Sequence, residues 1–164
     1  MRHIGWILAM VLASIGAVQA QESFSDPKAL VQSIYDGYRP GQLIGDPSIY
    51  YSKRLLAVFQ LAQDNAAFIR ASSGSHSDLA NDPIFNPFLP DDSALLFDLT
   101  IGEPVILDDY AMVTVTYHNF DQPRLLTVSL VKEGESWKVD DVASLGAEVP
   151  WLLSWALTAD PYAM

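Results

Sequence analysis

The stretch that most constrains this chain runs from Tyr110 to Val142. Tyr110-Ala-Met-Val-Thr-Val-Thr-Tyr117 is β-branched and aromatic with a period of two. Ala111, Val113, Val115 and Tyr117 therefore share one face of a strand, and Met112, Thr114, Thr116 and His118 the other. Asn119, Asp121 and Pro123 signal a turn, after which Leu126, Val128 and Leu130 line one face of Leu125–Val131. Lys132-Glu-Gly-Glu-Ser136 is a second tight turn, and Trp137–Val142 returns as a third strand. Connections this short join only antiparallel neighbours, so the chain must contain a meander with one apolar face to cover.

The cover is expected from upstream. Asp-Pro recurs at Asp26-Pro27, Asp46-Pro47, Asp82-Pro83 and Asp160-Pro161. An Asp side chain accepts from orphan helix N–H groups and Pro suits the first helical position, so the pair marks helix starts. Leu30, Val31, Ile34, Tyr35 and Tyr38 follow the first pair at helical spacing, which predicts a helix over 27–38. A second helix is expected from Asp46-Pro47 or Ser52 to about Arg70, with Leu55, Leu56, Phe59, Ala62, Ala66 and Ile69 on its apolar face. Residues 71–90 read as a long ordered loop docked by Ile84, Phe85, Phe88 and Leu89. Leu95–Leu107 supplies one more strand, interrupted by a bulge or bend at Gly102 and Pro104. Glu148–Leu157 is expected to form a closing helix with Trp151, Leu152 and Trp155 on one face. The fold class is α+β: N-terminal helices against an antiparallel sheet of about four strands, with a C-terminal helix.

The first twenty residues stand apart from this pattern. Arg2 and His3 precede an apolar run from Ile4 to Val18, and Val18-Gln-Ala20 offers small residues for cleavage. This is the pattern of a secretory signal peptide, and the run falls short of the roughly 20 residues needed to span a bilayer. Cleavage after Ala20 would leave one domain of 144 residues, 21–164, with 8 basic against 20 acidic side chains and a formal charge of −12. Such a balance disfavours nucleic acid and anionic membrane surfaces as partners. The absence of cysteine excludes disulfides, thiol catalysis and thiolate metal sites. A bacterial periplasm, or secretion beyond it, is the expected address.

The closing Trp137-Lys-Val-Asp-Asp-Val142 resembles the last strand of the nuclear-transport-factor-2-like superfamily. The chain from about 27 to 157 is similar, more narrowly, to a family of exported bacterial domains of unknown function. The likeness lies in Tyr35 and Tyr38, Tyr51-Ser52, Asp82-Pro83, Ala111-Met-Val113 and the closing strand. Where that family follows Asp-Pro with a Gln-Asp pair, this chain has Pro87-Phe-Leu-Pro-Asp-Asp92, and Asp91 or Asp92 would take the aspartate's place. The resemblance implies a curved sheet wrapped into a cone, with ligands at the open end. Tyr35, Tyr38, Asp82, Asp92 and Asp141 become the candidate binding residues. It implies no reaction, because one scaffold of this kind hosts isomerases, dehydratases and non-catalytic binders.

Asp140 and Asp141, adjacent on a strand, are expected to face opposite sides. If Asp141 were buried beside apolar walls it could serve as a general base, with Tyr35 or Tyr38 donating; otherwise both are strand-end carboxylates. His118 is expected either to pair with Asp121 as a proton shuttle or to be a solvent-facing turn residue. Ser72–Asp82, with Asp78, Asn81 and Asp82, has no calcium-loop spacing, and His76 reads as an exposed loop residue. No metal and no cofactor is expected, and no phosphate loop, nucleophile elbow or dinucleotide fingerprint occurs. The reading is a non-enzymatic domain binding a small ligand or a protein partner. The alternatives are a proton-transfer enzyme of isomerase or lyase type and an acidic inhibitor of a periplasmic toxin. Pairing into a homodimer through the sheet or the Trp-bearing helix is compatible with each.

Overall fold

The computed structural model describes residues 23–39, 46–73, 86–89, 95–145 and 150–159; the side chains of 66–73 are not described. Residues 1–20, expected to be a signal peptide, and His76, Asp78, Asn81, Asp82, Ile84, Phe85, Asp91 and Asp92 lie outside these residues.

Helix α1 spans Pro27–Asp36, and the Asp26 carboxylate accepts from Lys28 N at its start. It ends two residues short of Tyr38, where Arg39 Nη1 donates to the carbonyls of Asp36 and Tyr38. Asp46 caps in the same way, but only a 3₁₀ turn follows, Pro47–Tyr50. Helix α2, Lys53–Ser73, starts after Ser52, whose Oγ accepts from Leu55 N. Of its expected apolar face, Leu55 and Ala62 are buried and Phe59 is half-buried, whereas Leu56 is 42 % exposed. Over its described side chains the α2 stripe is therefore narrower than its sequence period suggests.

Among the described residues six strands follow, all antiparallel: β1 Leu96–Ile101, β2 Val105–Leu107, β3 Tyr110–Asn119, β4 Gln122–Glu133, β5 Ser136–Ser144 and β6 Trp151–Leu152. Their order is β1-β3-β4-β5-β6, and β2 lies on the same side of β3 as β1. The expected four strands become six at two places. Gly102 and Pro104 split the Leu95–Leu107 segment, because Gly102 N donates to Thr114 O and an added Cβ at Gly102 would press on Thr114. Trp151 and Leu152, expected to be helical, instead pair with Ser144 and Ala143. Helix α3 then occupies only Leu153–Thr158.

The meander follows its alternation. Ala111, Val113, Val115, Tyr117, Leu126, Val128 and Leu130 are buried, joined from β5 by Trp137, Val139 and Val142. Leu30, Val31, Ile34 and Tyr35 of α1 and Leu55 of α2 complete the same core. Fully burying one such aliphatic side chain stabilises by about 1.5–3 kcal/mol, so the cluster dominates the fold. The N-terminal end is tied down at long range: Phe24 N donates to Ser136 Oγ and Phe24 O accepts from Trp137 N.

Candidate functional site

Three places gather the sequence-derived candidates, and a fourth was not anticipated. The first is the space between the helices and the sheet. Tyr35 is 5 % exposed, and its phenol donates to Phe88 O at 3.2 Å. Tyr51 stacks on Phe59, with centroids 5.3 Å apart. The Phe88 ring lies 6.4 Å from the rings of both Tyr35 and Tyr51 and is fully buried. Phe88 is seated by a local turn, in which Asn86 Oδ1 accepts from Phe88 N and Asn86 O from Leu89 N. Burial, with Tyr117 adding, holds the Tyr35 phenol well above its ordinary value near 10. Burial, with Asp46 adding, does the same for Tyr51. Tyr38 packs partly buried against the core. The tyrosines thus belong to a packed interior whose centre is filled by the loop residue Phe88. Its docking role is readable from the sequence, but where it docks cannot be read from spacing.

The second place is the end of β5. A bulge sets Ser129 opposite Asp141 and Leu130 opposite Val139, leaving Asp140 as the extra residue. The expected alternation is therefore broken, and both carboxylates reach the same guanidinium. Arg54 Nε lies 2.8 Å from Asp140 Oδ2, and Arg54 Nη2 lies 3.6 Å from Asp141 Oδ2. Asp140 Oδ1 also accepts from Ser52 Oγ at 2.6 Å, linking the start of α2 to β5. Asp141 Oδ1 accepts from Val142 N (2.9 Å) and Ser154 N (3.1 Å), and its Oδ2 from Ser154 Oγ. The surroundings of Asp141 are donors and a cation rather than apolar walls. Chemically the arrangement anchors α2 and α3 to one strand.

The third place is the outer side of the β1–β3–β4 end. His118 Nδ1 lies 3.6 Å from Asp98 Oδ2, whereas the Asp121 carboxyl accepts from Gln122 Nε2. His118 is solvent-facing, one of its two expected placements, and its carboxylate neighbour is Asp98 rather than Asp121, where β1 bulges between Phe97 and Thr100 with Asp98 at φ 54°. Both members are solvated, His118 47 % and Asp98 84 % exposed, so the pair is a weak one. Beside it lies a shallow hollow of about 260 Å³ lined by Asp98, Thr116, His118, Pro123, Arg124 and Leu125. Among the described residues no group of three or more His, Asp or Glu is placed to hold a metal ion.

The unanticipated feature is the apolar outer face of the β2–β3 hairpin. The register pairs Val105 with Met112 and Leu107 with Tyr110, so these four side chains share the face of β3 opposite the core. They are 72, 50, 72 and 64 % exposed. The outward period of Tyr110 and Met112 and a strand ending at Leu107 are legible in the sequence; what is missing there is the register that sets Val105 and Leu107 beside them. Trp155 of α3 is also exposed, while Trp151 packs against the core. No helix among the described residues is long and apolar enough to cross a membrane. Comparison with protein-family models, with curated proteins and with solved structures finds no match.

Proposed function

We propose that this is an exported, non-enzymatic binding domain that holds a protein partner on the outer face of its sheet. The observation that carries the reading is the adjoining row Val105, Leu107, Tyr110 and Met112, each at least half exposed. Contiguous apolar surface of this kind marks interaction sites, whereas scattered exposed apolar residues need no explanation. Met and Tyr are enriched in the cores of interfaces, where one side chain offers both apolar area and adaptable contact. Packing of Phe88 between Tyr35 and Tyr51 favours this face over the interior as the binding surface. The hollow beside Asp98 and His118 supports a second reading, a small ligand on the same outer side.

We assign the chain to the cone-shaped nuclear-transport-factor-2-like class on its element order: helices first, then a meander ending in Trp137-Lys-Val-Asp-Asp-Val142. Export rests on Arg2 and the apolar run Ile4–Val18. The acidic balance suits a basic partner, which includes the case of an inhibitor of a basic toxin. The donors around Asp141 argue against proton transfer by that carboxylate.

Photo-crosslinking tests the face directly. A benzoyl-phenylalanine at position 110, introduced in the cells that make the protein, is expected to give a covalent adduct of discrete mass. The same probe at Gln60, on an exposed turn of α2, is expected to give none. Equal labelling from both positions, or none from position 110, would overturn the reading.

A further inference from the structure

We propose that the free edge of β2 receives an extended segment of the partner as an added strand. The segment carries apolar residues at alternate positions and Lys or Arg at both ends. This rests on the protein-partner reading above and deepens it, since contact moves from side chains on the face to backbone groups at the edge.

The edge is defined by the hairpin. Leu107 pairs with Tyr110 across the two-residue turn Asp108-Asp109, and Gly102 N donates to Thr114 O. Tyr110, Met112 and Thr114 are therefore the β3 positions that bond toward β1 and β2. The alternation of an antiparallel ladder then turns Ile106 N–H and C=O away from β3. No strand among the described residues pairs with that side of β2. Val105, Ile106 and Leu107 are 72, 53 and 72 % exposed. Natural edges are usually blunted by Lys, Pro or a bulge, and β1 has its bulge at Asp98. Strand β2 has none of these within it, so the edge is open to strand addition.

Charge selects the occupant. Glu103 lies just before β2, and Asp108 and Asp109 just after it. A second copy pairing about a two-fold axis at Ile106 would bring Glu103 of each chain beside the Asp108-Asp109 turn of the other. Like charges brought together across a strand pair are destabilising, so self-pairing is disfavoured. The same carboxylates attract a segment with basic ends. Lys28 already binds Glu103, which makes Asp108 and Asp109, without an ion-pair partner among the described residues, the stronger attractor. Residues of the segment opposite Val105 and Leu107 would extend the apolar row of the outer face.

The probe is the peptide Lys-Arg-Val-Thr-Val-Arg-Lys, titrated into ¹⁵N-labelled chain, with Glu-Asp-Val-Thr-Val-Asp-Glu as its charge-reversed counterpart. Saturable shifts centred on the Ile106 amide are expected for the basic peptide only, weakening as salt is raised. Ile106→Pro removes the outward donor without removing a ladder bond, and should cost at least tenfold in affinity at an unchanged melting temperature. Asp108→Asn with Asp109→Asn keeps the turn, since Asn tolerates the φ of 53° at Asp108, and should remove most of the salt dependence. Equal binding of the acidic peptide, or full affinity in Ile106→Pro, would overturn the edge mode. So would a dimer at neutral pH that Ile106→Pro dissolves, because the occupant would then be a second copy. Crosslinks from position 110 that persist in Ile106→Pro would sink the edge mode and leave face docking standing. Their absence in the parent chain would sink the reading beneath both.

Discussion

Replacing Phe88 by alanine tests whether the interior is packed by the loop that precedes the sheet. The ring is fully buried, meets Tyr35 edge-on at 6.4 Å and lies tilted at 6.4 Å from Tyr51. Truncations of buried Phe to Ala cost about 3–5 kcal/mol, from lost transfer energy and the cavity left behind. Two aromatic pairs, each worth about 0.5–1.5 kcal/mol, place this site toward the upper end. Against a total stability of roughly 5–15 kcal/mol, Phe88→Ala would remove a third or more of the margin. For a domain of this size that corresponds to a fall in melting temperature of about 10–15 °C. Urea denaturation of Gln21–Met164, followed by tryptophan fluorescence, would read it as a lower midpoint at unchanged slope. Leu61→Ala, on a side chain 50 % exposed on α2, serves as control and should cost less than about 1 kcal/mol. A loss below about 1 kcal/mol for Phe88→Ala would refute the packed interior and make the space between the tyrosines a candidate ligand pocket again.

The two buried tyrosines predict alkaline instability. Their phenols are raised in the folded chain, so above pH 10 the unfolded chain ionises first and stability falls by about 1.4 kcal/mol per pH unit for each. The contribution is intact below pH 10, and Tyr51→Phe should halve the slope in a pH series of denaturation curves. Asp141→Ala strands the Val142 and Ser154 donors and should cost about 2–3 kcal/mol, while Asp141→Asn keeps an acceptor and should cost about half as much. Near-equal stability of both variants and the parent would remove Asp141 from its anchoring role. At Gly134, φ is +63° with open space around the position, so Gly134→Ala should cost about 1–2 kcal/mol through backbone strain alone. Gly134→Asn should recover part of that, as calorimetry would show.

The meander was legible because alternation is local: each strand's own sequence says which side faces the core. Asp26 and Asp46 both read as caps, and both cap, yet one opens three turns of helix and the other a single 3₁₀ turn. The difference lies in the residues after the cap, since no side chain of Pro47–Tyr50 is buried and tertiary packing rather than capping sustains a helix. Trp151 and Leu152 read as helical by spacing, but a free edge at Ala143 and Ser144 offered ladder bonds that propensity could not anticipate. The candidate site was least legible of all. Bulges at Asp98 and Asp140 moved carboxylates off their alternating faces, and each is a matter of register between two strands, which neither strand's own sequence specifies. Asp121 is the sequence neighbour of His118, and Asp98 is its spatial one.

The tie between Phe24 and the Ser136–Trp137 corner spans 112 residues and sets an order of events. Strands β3 and β4 can zip as soon as their two-residue turn has been made, but α1, which packs on β5 as well as on β1 and β3, cannot complete its seat until β5 exists. At roughly 5–20 residues per second, a ribosome leaves Leu30, Val31 and Ile34 without full cover for about 6–20 s. The first of the described helices is thus among the last elements to complete its seat.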